Sequence, residues 1–105
     1  MTFEEIVAKV RERIKTADPS KVEGFLAIQV NITGEGEGKF YVEVKDGVLS
    51  VEPYEYFDRQ AIVTMKSKNF LAMMDGKLDP VLAFTLGKLK IDGSVEKVLE
   101  FSKLL

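Results

Sequence analysis

Apolar residues Phe3, Ile6, Val7, Val10 and Ile14 recur at spacings of three and four, which makes one stripe along an amphipathic helix. Thr2 and Glu5 have the spacing of a capping box, in which each side chain accepts a hydrogen bond from the other's backbone amide. The pattern predicts a helix from Phe3 to about Thr16, stopped by Asp18-Pro19. From Gly24 the period falls to two. Leu26, Ile28, Val30 and Ile32 take one side of a strand and Phe25, Ala27, Gln29 and Asn31 the other, as expected of a half-buried strand. Thr33 to Lys39 is a glycine-rich turn, and Phe40, Val42 and Val44 mark the inner face of a second strand. Asp46-Gly47 suits a tight hairpin, so Val48 to Glu52 closes a three-stranded antiparallel meander.

Residues 53–60 read as a loop, and Ala61 to Lys66 as a fourth strand. Ser67 is placed to cap a short helix carrying Phe70, Leu71, Met73 and Met74 and ended by Asp75-Gly76. Asp79-Pro80 opens another short helix that Gly87 ends. Lys88 to Asp92 is a fifth strand with Leu89 and Ile91 inward, and Gly93-Ser94 starts a terminal helix with Val95, Val98, Leu99, Ser102 and Leu105 along one face. The order predicts an α+β domain, a five-stranded, mainly antiparallel sheet covered on one face by about four to five helices.

A chain of 105 residues is long enough for one core, so residues 1–105 are expected to be a single domain. The absence of Cys and His removes thiolate and imidazole nucleophiles, bases and metal ligands, which ends most hydrolase, zinc-enzyme and triad readings, and the acids show no obvious catalytic pairing. No apolar run approaches the length of a transmembrane helix, and the charged first residues do not have the pattern of a secretory signal. The formal net charge is −2. Residues 61–105 carry seven bases and five acids, a mild excess that suits approach to anionic headgroups but no dense cluster for nucleic acid. Gly34 to Gly38 do not form a phosphate loop, because Glu35 and Glu37 repel an anion and a strand follows. Tyr54, Tyr56 and Arg59 share one loop and are of types that favour interfaces. The second half is rich in apolar residues, and periodicity alone leaves open whether they fill a core or line a cavity.

The run Phe70-Leu71-Ala72-Met73-Met74-Asp75-Gly76-Lys77-Leu78-Asp79-Pro80, continued by Ala83-Phe84 and by Gly87-Lys88-Leu89-Lys90-Ile91-Asp92-Gly93, resembles the sterol carrier protein-2 family. The hairpin Phe40 to Gly47 and the strand Ile62 to Met65 look like the corresponding family elements. Thr85 stands where a second aromatic is common and Ser102 where a longer Gln often stands. The resemblance implies an elongated apolar tunnel between sheet and helices and noncovalent binding and transfer of fatty acids, fatty acyl-CoA, sterols or related lipids, so no catalytic residue, metal or cofactor is expected and the chain is not expected to be an enzyme. The lining candidates are Leu26, Ile28, Val30, Phe70, Met74, Leu82, Phe84, Leu89, Ile91, Val95, Val98 and Leu99, with Ser102 as a polar contact for a headgroup. Leu105 follows Ser102-Lys103-Leu104, so the end does not match a peroxisomal tripeptide and a cytoplasmic location is expected. The expected partner is a hydrophobic small molecule or lipid and not nucleic acid. Transient membrane contact, a homodimer or protein scaffold with Tyr54, Tyr56 and Phe57 near its interface, and an accessory subunit serving a separate enzyme stay open.

Overall fold

The structure is a computed structural model, and it describes residues 1–22 and 24–105. Helix α1 (Phe3–Ile14) opens with both bonds of the Thr2/Glu5 capping box and buries Ile6, Val7, Val10 and Ile14. It ends slightly short of Thr16, whose hydroxyl instead donates to the Arg13 carbonyl at 3.0 Å. Asp18 then accepts from the Ser20 amide at 2.9 Å and caps a single 3₁₀ turn, Pro19–Lys21.

Strands β1 (Leu26–Thr33), β2 (Gly38–Lys45) and β3 (Val48–Glu52) form the antiparallel meander. At the second hairpin Asp46 and Gly47 both have positive φ, 52° and 77°, as a turn matching the strand twist requires. Strand β4 (Ala61–Lys66) lies parallel to β1 and runs straight into α2 (Ser67–Met74). Helix α3 (Pro80–Thr85), strand β5 (Leu89–Gly93) and helix α4 (Val95–Ser102) complete the chain. Strand β5 pairs antiparallel with β4, so the mixed sheet has the order β3-β2-β1-β4-β5 with β5 at one edge.

Register aligns the inward residues in rows across the sheet. Leu26 pairs with Val44, Ile28 with Val42 and Ala61, Val30 with Phe40 and Val63, and Val63 in turn with Ile91. All four helices pack on this face and close one core, in which the Phe70 ring stands edge-on to Phe40 at 5.8 Å. Gly93 permits the close crossing at the end of β5. A Cβ there would lie 2.5 Å from the Gln60 carbonyl oxygen, and its φ of 115° suits glycine.

Three local expectations change. Strand β1 is buried on both faces, not half-buried, because it is central and because residues of the 53–60 segment cross its outer face. The Tyr56 amide donates to the Gln29 side-chain oxygen at 3.2 Å, and the Gln60 side chain bonds the Ala27 amide and the Phe25 carbonyl. Ser67 does not cap α2. With no loop between β4 and α2, Lys66 takes the cap position without a side-chain bond, and Ser67 is buried as the first helical residue. In α4 the face packed into the core is Val98 and Phe101, continued by Leu104, while Leu105 falls beyond the helix.

Candidate apolar binding site

The site is framed by two short helices and an edge strand. Asp79 accepts from the Leu82 amide at 3.0 Å and Pro80 presets the first turn, which together start α3 at a defined point. Gly87, with φ 75°, turns the chain from α3 into β5. The two-residue period of β5 then directs Leu89 and Ile91 to the helix-covered face beside Val63. Ser94 accepts from the Lys97 amide at 3.3 Å and opens α4 directly after that strand.

Between these elements lies an apolar pocket of about 140 Å³. Val63, Met73, Leu89, Ile91, Val98 and Phe101 form its floor and inner wall, and Pro80, Val81 and Phe84 of α3 face Val95, Leu99 and Ser102 of α4. Four of these side chains also meet solvent: Val81 is 58% exposed, Phe84 48%, Val95 47% and Leu99 41%. They form an open apolar rim because α3 packs mainly on β5, and α4 mainly on β1 and β4. The Ser102 hydroxyl donates to the Leu99 carbonyl at 2.7 Å, which leaves its oxygen as an acceptor only.

Of the lining candidates, Phe84, Leu89, Ile91, Val95, Val98, Leu99 and Ser102 come together at this pocket. Leu26, Ile28, Val30, Phe70 and Met74 lie in the main core, fully or almost fully buried, and Leu82 is half-exposed and outside the lining. Val63, Met73, Pro80, Val81 and Phe101 also line the pocket. Met73 and Met74 had equal claims by composition. The turn of α2 sends Met74 into the core and leaves Met73 beside the pocket, a choice that depends on how the helix is rotated on the sheet.

Polar chemistry is gathered elsewhere. On the outer sheet face the Tyr56 hydroxyl donates to the Glu43 carboxylate, and its ring lies 4.6 Å from that of Tyr41. That bond, with burial, pushes the Tyr56 hydroxyl up to about 12. Lys9, at 3.0 Å, holds the Asp75 carboxyl below its ordinary range, so this residue after α2 serves as a tie to α1. Among the described residues no three acidic side chains gather as ligands for a metal ion. Among the described residues no helix is long and apolar enough to cross a membrane.

Comparison with known proteins gives the same fold. Sterol carrier protein 2 of Homo sapiens is 34% identical over 105 residues, which cover 99% of this chain and 19% of that protein. The chain thus spans about a fifth of the length of that relative. The crystal structure of Sterol Carrier Protein 2 Like 2 from Aedes aegypti superimposes with a TM-score of 0.74 at 20% identity, covering 97% of this chain and 94% of that one. The solution structure of palmitated SCP2L2 from the same organism has a TM-score of 0.69 at 20% identity, covering 99% and 94%. The model of the SCP-2 sterol transfer family matches residues 4–105, and with that extent of agreement in sequence and fold the chain belongs to this family.

Proposed function

We propose that the chain binds a lipid-like ligand, a fatty acid, fatty acyl-CoA, sterol or related molecule, without covalent chemistry, and releases it again. The observation that carries this reading is the pocket between α3 and α4, whose rim keeps four large apolar side chains about half in water. Covering such a rim with an apolar ligand is favourable for both surfaces. Each methylene taken from water contributes about 0.8 kcal/mol, so a chain of about 14 methylenes has a gross drive near 11 kcal/mol before ordering costs. A bilayer offers a similar gain, so transfer is close to balanced and reversible.

Size limits the pose. An apolar cavity of about 150 Å³ accepts one benzene ring, so a pocket of about 140 Å³ holds one end of an acyl chain. The rest lies along the rim, or α3 and α4 part to lengthen the cavity into a tunnel. Palmitate in the name of the Aedes relative supports an acyl ligand, and the sterol in the names of the family and the human relative keeps a sterol in the same class. Ser102 supplies an acceptor for a hydroxyl-bearing headgroup.

The deciding experiment is titration of a fluorescent acyl probe, with displacement by unlabelled palmitate and by cholesterol. Saturable sub-millimolar binding with displacement supports the reading, and absence of saturation by both classes overturns it. A second reading, a protein scaffold or homodimer, draws on Phe57, which is 93% exposed, and on its exposed neighbour Tyr54. Native mass spectrometry separates the two, since copurified lipid favours the carrier and a ligand-free dimer the scaffold.

A further inference from the structure

Lys66, Lys68, Lys88 and Lys90 surround one shallow hollow of about 560 Å³, shared with Thr33, Thr64, Asn69 and Gly87. The sheet register brings them together. Lys66 pairs with Thr33 and Lys90 with Thr64, Lys68 follows in the first turn of α2, and Lys88 lies in the turn between α3 and β5. No carboxylate lines the hollow, and among the described residues none of these four lysines forms an ion pair. Two acids between α2 and α3 have other partners, since Asp75 holds Lys9 and Asp79 caps α3, and the acid closest in sequence is Asp92, two residues from Lys90. Asp92 is the carboxylate that β5 itself carries on its outward face. The cluster adjoins an apolar ridge, because Leu86, 56% exposed, precedes Gly87-Lys88, and Leu82 is exposed one turn earlier on the pocket-bearing helix.

We propose that this side of the molecule, the α3–β5 edge, docks on an anionic bilayer, with the four lysines against the headgroups and Leu82 and Leu86 entering the interface. The charge pattern selects this occupant. Flexible lysine point charges without any arginine fork suit a diffuse anionic layer better than one fixed carboxylate or phosphate. Neither the lysines nor two apolar side chains bind a membrane firmly alone, but the two signals add. Helix α3 carries Leu82 as well as Val81 and Phe84 of the pocket rim, so docking there brings the pocket-bearing helix to the bilayer, and in this respect the proposal rests on the lipid-carrying reading of that pocket.

The test is cosedimentation of the full chain with vesicles of phosphatidylcholine alone and of phosphatidylcholine with phosphatidylserine. Recruitment is expected on the serine-containing vesicles and should weaken with salt. Each lysine near such a surface is worth about fivefold, so Lys66→Gln with Lys90→Gln should lower partition about 25-fold. Leu86→Ser should lower it further at every salt concentration. Equal recruitment by both vesicle types, or equal recruitment of wild type and the double-lysine variant, overturns docking. A double variant changed only in self-association in solution also overturns it, since the lysines would then guard the β5 edge against strand pairing. Acyl-probe titration without vesicles separates the two readings: the double-lysine variant should bind the probe like wild type. Wild type that reaches vesicles but binds no probe would overturn the pocket reading and leave docking standing.

Discussion

Leu99 shows what the site asks of one residue. It lines the pocket and is also 41% exposed, so a polar replacement loses little packing but meets any bound chain. Leu99→Glu should weaken acyl-probe binding at least tenfold, since an unpaired carboxylate against hydrocarbon costs more than the roughly 1–3 kcal/mol of an unpaired neutral polar group. Urea unfolding should show a stability loss below about 1 kcal/mol. Unaltered affinity would remove α4 from the site. Tyr56 sits far from that chemistry and ties the 53–60 segment to β2. Its hydroxyl titrates at about 12 in the folded chain, because it donates to Glu43, against 10.0 ordinarily. A raised folded value means that the bond's contribution is whole below about pH 10 and is lost as pH rises from there to about 12. The stability difference between wild type and Tyr56→Phe, measured by thermal unfolding across that window, should therefore shrink as pH rises.

The elements were legible to different depths. The capping box of α1, the Asp46-Gly47 hairpin and the Asp79-Pro80 start of α3 depend on neighbours within a few residues, so local sequence was sufficient to predict them. The apolar arc of α4 was also legible, but not its division. Val95, Leu99 and Ser102 form the outer wall of the pocket while Val98 and Phe101, buried in the core, form its inner wall, and the helix carries the two stripes about a quarter-turn apart. Helix α3 is the weakest wall, six residues long and dependent on its cap. Asp79→Ala should cost about 1 kcal/mol, seen as faster amide exchange in α3, and should lower probe affinity severalfold because Val81 and Phe84 lose their fixed places.

At the scale of the molecule the pocket couples ligand to stability. A ligand that binds only the folded chain stabilises it by about 2.7 kcal/mol at a hundredfold excess over Kd. Palmitate at that excess should raise Tm by on the order of 10 °C, measured by calorimetry. No shift would show that the folded chain does not take up palmitate. The family motif was readable because its glycines, prolines and capping aspartate mark the ends of elements. The pocket was not, because a lined cavity and a filled core call for the same apolar residues.

The alternation of apolar and polar positions by itself determined the elements, their turns and the inner face of each strand, since these follow from periods of two and 3.6 and from a few special backbone positions. Only the tertiary structure decided what covers each face. Parallel pairing with β4 made β1 the central strand, and the 53–60 segment then buried Ala27 and Gln29 on its outer side. The same packing left α3 on β5 and α4 on the inner strands, with an unfilled space between them. The reason is geometric. Hydrophobicity states that a side chain avoids water, but the distance between two helices that do not touch in sequence depends on every element beneath them.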